Sequence, residues 1–116
     1  MPRAAPTRRS SRWPPRRARL ERLVEEAIVD AYDESEQRCG LFTMMEERLA
    51  LPFETEVLGV PVTIERVDLT EADEVVAICR RRRSRQRIPI LDLPLPSPRP
   101  DGAEWIEAFR YWARGR

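Results

Sequence analysis

The sequence contains no histidine and no lysine. Without histidine, the usual general base near neutral pH is missing. Ser–His–Asp and Cys–His nucleophile systems are therefore excluded. Cysteine is scarce too: Cys39 and Cys79 are the only two. Two isolated cysteines build neither a disulfide framework nor a zinc site, so both are read as small buried apolar residues. Four glycines are scattered and form no phosphate-cradling loop. No segment approaches the roughly 18 consecutive apolar residues of a membrane span, and the N-terminus has no apolar h-region. These absences predict a cytoplasmic protein that is not an enzyme and does not associate with membranes. A hard cation held by oxygen atoms is the metal chemistry left open.

What is present is charge, strongly segregated. Residues 1–19 carry seven arginines and no acid. Residues 20–79 carry sixteen acids against four arginines, a net of −12. Residues 80–87 hold six arginines and no acid. The chain as a whole is +1, so the overall value conceals an acidic middle between basic flanks.

Residues 1–16, rich in Pro, Arg, Ser and Ala, cannot bury enough apolar surface to offset ordering entropy and are expected to be disordered. Residues 17–116 are expected to form one α+β domain. Leu20, Leu23, Val24, Ala27, Ile28 and Ala31 recur on one helical face and predict a helix over about 17–32. Asp33 followed by Glu36 is an Asp-x-x-Glu form of the capping box, opening a second helix at about 34–49. Gly40 within it marks close approach by another element. After Pro52 the period changes to two. Strands are predicted at Phe53–Leu58, Val60–Glu65, Glu74–Cys79 and Ile88–Leu91, with Arg80–Gln86 as a hairpin loop. Pro89 places the last strand at an edge. Four short strands at close spacing suggest a small antiparallel barrel over about 53–92. A Pro-rich connector, 93–101, leads to a last helix at about 102–114, with Asp101 as its cap and Trp105, Ile106, Phe109 and Trp112 on its apolar face.

Asp30 is placed in the last helical turn, where the dipole's negative end makes an acid unfavourable and a bound cation would reverse that cost. Glu34 has Arg38 at i+4, a surface ion pair. Glu36 has no such partner, and its other reading is the capping box. Glu46 and Glu47 find no cation at i±3 or i±4, which makes them a cation platform or a solvated face. No stretch fits an EF-hand: starting from Asp30, Ser35 and Leu41 occupy the positions that need Gly and Glu.

Taken together, Val29-Asp30-Ala31-Tyr32, Glu36-Gln37 and Met45-Glu46-Glu47-Arg48-Leu49-Ala50-Leu51-Pro52-Phe53 resemble the CcbP-type bacterial calcium-binding proteins. The resemblance spans about residues 22–58. It implies an N-terminal two-helix unit packed on an SH3-like β-barrel, and Ca2+ held by surface carboxylates for calcium buffering. Position by position it implies Asp30, Glu36, Glu46 and Glu47 as metal ligands. Asp33, Glu54 and Glu56 join the acidic surface on the residue reading alone.

A second reading is an interaction module. A protein partner would dock on the barrel or on Trp105 and Trp112; a nucleic acid would meet the arginines of 80–87. Nucleic acid is disfavoured, because the −12 stretch repels it and no aromatic is interleaved for base stacking.

Overall fold

A computed structural model describes residues 13–115. Three helices and a four-stranded antiparallel sheet make an α+β fold. Helix α1 spans Arg17–Ala27 and α2 spans Glu34–Arg48. Strands follow at Phe53–Val57 (β1), Val60–Leu69 (β2), Val75–Arg81 (β3) and Ser84–Pro89 (β4). A 3-10 turn, Ile90–Asp92, precedes α3, Ala103–Arg114. The predicted tail up to residue 12 lies outside the described residues. Trp13, which follows, has the Arg99 guanidinium 5.0 Å from its ring centroid.

Helix α1 is shorter than its apolar stripe suggests. Its C-cap is Ile28, and residues 28–30 form a turn. Helix α2 opens as predicted. The Asp33 side chain accepts from the Glu36 amide at 2.8 Å, and the Glu36 carboxylate accepts from the Asp33 amide at 3.3 Å. Gly40 faces the end of α1, where a Cβ would overlap the Ala27 carbonyl. The close approach read into Gly40 is present, and α1 is its other side.

The sheet order is β1-β2-β3-β4, with β1 and β4 as unpaired edges. The sheet is not closed, so the barrel expected from strand spacing is not formed as a closed structure. Leu58 and Gly59, both at positive φ, make the β1–β2 turn, the backbone of a two-residue hairpin. Strand β2 runs four residues beyond the predicted strand, past a bulge between Ile64 and Arg66. The largest difference concerns the arginines. Residues 80–86 are not a loop: only Arg82 and Arg83 turn, and the rest continue β3 or begin β4. Charged side chains suit an edge strand, where they oppose edge-to-edge pairing. The strand holding Pro89 is at an edge, as predicted, but it spans Ser84–Pro89 rather than Ile88–Leu91, because the chain turns into the 3-10 segment at Ile90.

Helices cover one face of the sheet. Ile64, Val67, Val75 and Ala77 are buried there with Leu41, Met45, Ile106 and Phe109. Trp105 and Trp112 lie in this core at 3% and 4% exposure, so the protein-docking role considered for them is corrected. On the opposite face Ile78 stands in register between Arg66 and Arg87 and is still buried; long aliphatic arginine stems can shield such a residue. The N-cap of α3 is Gly102, with no side-chain cap, rather than the predicted Asp101. Gly102 has φ +87°, and a Cβ there would overlap the Arg48 carbonyl. The Asp101 carbonyl instead accepts from the Ala50 amide at 2.8 Å, joining the start of α3 to the end of α2. Cys79 is buried as predicted, whereas Cys39 is exposed on α2, correcting that expectation. Burial pushes the Cys79 thiol pKa up.

Candidate metal centre

The capping box decides what Glu36 can offer. Its Oε1 accepts from the Tyr32 amide at 2.7 Å and also from the Asp33 amide. The other oxygen makes no hydrogen bond among the described residues and retains its lone pairs. Asp30 is exposed in the preceding turn, just past α1, and makes no ion pair among the described residues. Asp30 and Asp33 therefore lie in the α1–α2 loop, with Glu36 in the first turn of α2 beside them.

Glu46 and Glu47 are exposed in the last turn of α2. Neither is ion-paired among the described residues, as the missing i±4 cations predict. Ten residues of helix separate Glu36 from Glu46, roughly 15 Å of rise. Calcium–oxygen distances are about 2.3–2.6 Å, so one ion cannot join these carboxylates. Successive helical residues point about 100° apart, so Glu46 and Glu47 lie on adjoining sides of the last turn and do not face each other. Among the described residues, no group of three or more His, Cys, Asp or Glu is arranged to hold a metal ion. The four acids that the resemblance implies as ligands therefore stand as two groups at opposite ends of α2.

Several other acids are held by arginine. Arg38 pairs with Glu34 at 3.3 Å and with Asp73, while its guanidinium lies 5.2 Å from the Trp112 ring centroid. Glu65, at the β2 bulge, is gripped by Arg85 at 2.8 Å and by Arg80. These two guanidiniums, Arg85 foremost, hold the Glu65 carboxyl below the usual carboxylate range. The Tyr111 hydroxyl and then Arg17 lower Glu21 in the same direction. Such acids are already neutralised. Glu54 and Glu56, two residues apart, are exposed on β1 without ion pairs among the described residues. Sequence reading passed over Glu25 and Glu26, which are exposed in the last turn of α1 near Asp30. Arg22 precedes them by three and four residues, so spacing would have scored both as paired; neither is ion-paired among the described residues.

Among these free carboxylates, Glu25, Glu26 and Asp30 stand at the C-terminal end of α1 and Glu46 and Glu47 at that of α2. The helix dipole is negative there, and carboxylates raise the local negative potential further. Oxygen-only donors of this type suit a hard divalent cation.

The comparisons agree with that chemistry. A family model described as calcium binding, that of the CcbP proteins, matches residues 21–113. The crystal structure of Anabaena CcbP superposes with a TM-score of 0.66 at 18% identity, covering 85% of this chain and 92% of that one. No curated protein matches the chain in sequence. The chain belongs to the CcbP calcium-binding family. That is a calcium-binding family and not an enzyme family.

Proposed function

We propose that the protein binds calcium weakly, at two separate carboxylate groups, and acts as a cytoplasmic calcium buffer. The observation carrying this reading is the family match over residues 21–113. Unpaired carboxylates at the C-terminal ends of α1 and α2 support it. Asp30 and the free oxygen of Glu36, with Asp33 as an accessory acid, form one group. Glu46 and Glu47 form the other, with Glu54 and Glu56 extending the acidic surface. Each group supplies only a few of the 6–8 oxygen ligands that calcium takes, so water completes the shell and affinity is low. Weak sites of this kind fall in the range of about 0.1–1 mM.

Thermal unfolding with and without calcium tests the proposal. A ligand selective for the native state at ten times its Kd adds about 1.4 kcal/mol, a rise of several degrees in Tm for a domain of this size. The double variant Glu46→Gln, Glu47→Gln should lose part of that rise, and adding Asp30→Asn should remove most of the remainder. No change in Tm and no heat of binding at millimolar calcium would reject the reading.

A further inference from the structure

Few large apolar side chains are exposed among the described residues, and three of them fall on two surfaces of complementary charge. Val29, at 77% exposure, and Tyr32, at 93%, stand on the α1–α2 loop beside Asp30, Asp33 and Glu34. Leu58, at 97%, caps the β1–β2 turn at the other surface. An open depression of about 480 Å³ has Val60, Val62, Cys79 and Ile88 on its floor and Leu58, Arg81 and Arg82 on its rim. No acid lines it, and Arg81, Arg82 and Arg83 have no carboxylate partner among the described residues.

We propose that the α1–α2 loop of one copy docks into the β-hairpin cleft of a second copy, giving head-to-tail self-association. Tyr32 and Val29 would enter beside Leu58, and Asp30 and Asp33 would meet Arg81 and Arg82. Each surface has an apolar centre and charged flanks of opposite sign, the arrangement that steers an encounter and fixes its register. The loop is already held in shape by the Glu36 bonds to the Tyr32 and Asp33 amides, so little ordering is lost on docking. Cleft against cleft is disfavoured, because it would bring two arginine rims together. A nucleic acid is disfavoured because the floor has no aromatic residue on which bases could stack. Loop and cleft are different patches, so the contact is heterologous and leaves one of each free for another copy. A contact of one loop is small and belongs with transient pairs.

Sedimentation equilibrium of the full chain, in EDTA so that calcium plays no part, reads this out. Over roughly 10 µM to 1 mM, the span of weak association, the average mass should rise with concentration and fall back as salt is added. Tyr32→Ser removes the loop's anchor, and Leu58→Asp places a carboxylate at the cleft rim. Both positions are exposed turn residues, and unchanged Tm and circular dichroism verify that each variant folds. Each variant alone should stay monomeric. Mixed at equal concentration they should form a heterodimer and no larger species, because one retains an intact cleft and the other an intact loop. A wild-type chain that is monomeric throughout, variants that associate as the wild type does, or a mixture that stays monomeric would each overturn the proposal.

Discussion

Single residues set much of the charge map, and Glu65 shows how. Standing at a bulge, it reaches Arg85 and Arg80 on two neighbouring strands, and these lower its pKa in the fold. A carboxyl whose folded pKa is lowered contributes stability that is fully present above its unfolded pKa and is lost as pH falls through the folded value. Glu65→Gln should therefore lower Tm at neutral pH and leave it almost unchanged below the carboxylate range, so that the acid limb of a Tm–pH profile flattens. Arg110 acts within the core. Its Nε and Nη2 donate to the Ile90 carbonyl at 3.0 and 2.8 Å, Nη2 donates also to the Leu93 carbonyl, and Nη1 donates to Glu107 at 3.1 Å. Arg110→Met leaves these acceptors unsatisfied and should cost about 3 kcal/mol, measured as a shift of the urea midpoint at constant m-value. Glu107 at i−3 is the one partner that spacing could suggest; the carbonyls that hold Arg110 in the core lie 17 and 20 residues away and have no local signal.

At the level of elements, local rules were legible and tertiary pairings were not. The capping box of α2 could be read from Asp33 and Glu36, because both partners lie within one turn. Asp33→Ala should cost about 1 kcal/mol, seen in chemical denaturation. Gly40→Ala improves helix propensity but drives a Cβ into the Ala27 carbonyl. It should destabilise by about 1–3 kcal/mol, as overpacking does, and an unchanged or raised Tm would show that α1 can move aside. The apolar face of α3 was legible from its period. The hairpin was not: a run of arginines reads as a loop by composition, yet strand β4 needs only one apolar residue near its end, Ile88, to be anchored. Sheet closure was also illegible, since strand count and spacing do not determine whether β1 meets β4. Among candidate ligands, the acidic character of Asp30, Glu36, Glu46 and Glu47 could be read, whereas their distribution along α2 follows from helical rise. The pairing of Asp73 with Arg38, 35 residues away, had no sequence signal.

Across the whole molecule, acids and arginines sort into separate territories. The arginines of the β3–β4 hairpin partly neutralise the sheet through Glu65, and the ends of α1 and α2 keep their negative charge. A nearly neutral chain can in this way hold a surface that attracts cations. Because that attraction is long-range between exposed groups, it weakens as the Debye length shrinks from about 10 Å at 0.1 M salt to about 3 Å at 1 M. Calcium affinity should therefore fall severalfold over that interval, checked by calorimetry at the two salt concentrations. The central claim, that carboxylates at the two ends of α2 bind calcium independently, is tested most directly by a calcium titration followed in two-dimensional 1H–15N NMR spectra. The expected result is two sets of shifting amides, one around Asp30–Glu36 and one around Glu46–Glu47, each with its own saturation curve and each surviving when the other is neutralised. Shifts absent from both sets at millimolar calcium, or a single curve abolished everywhere by Glu46→Gln and Glu47→Gln, would contradict it.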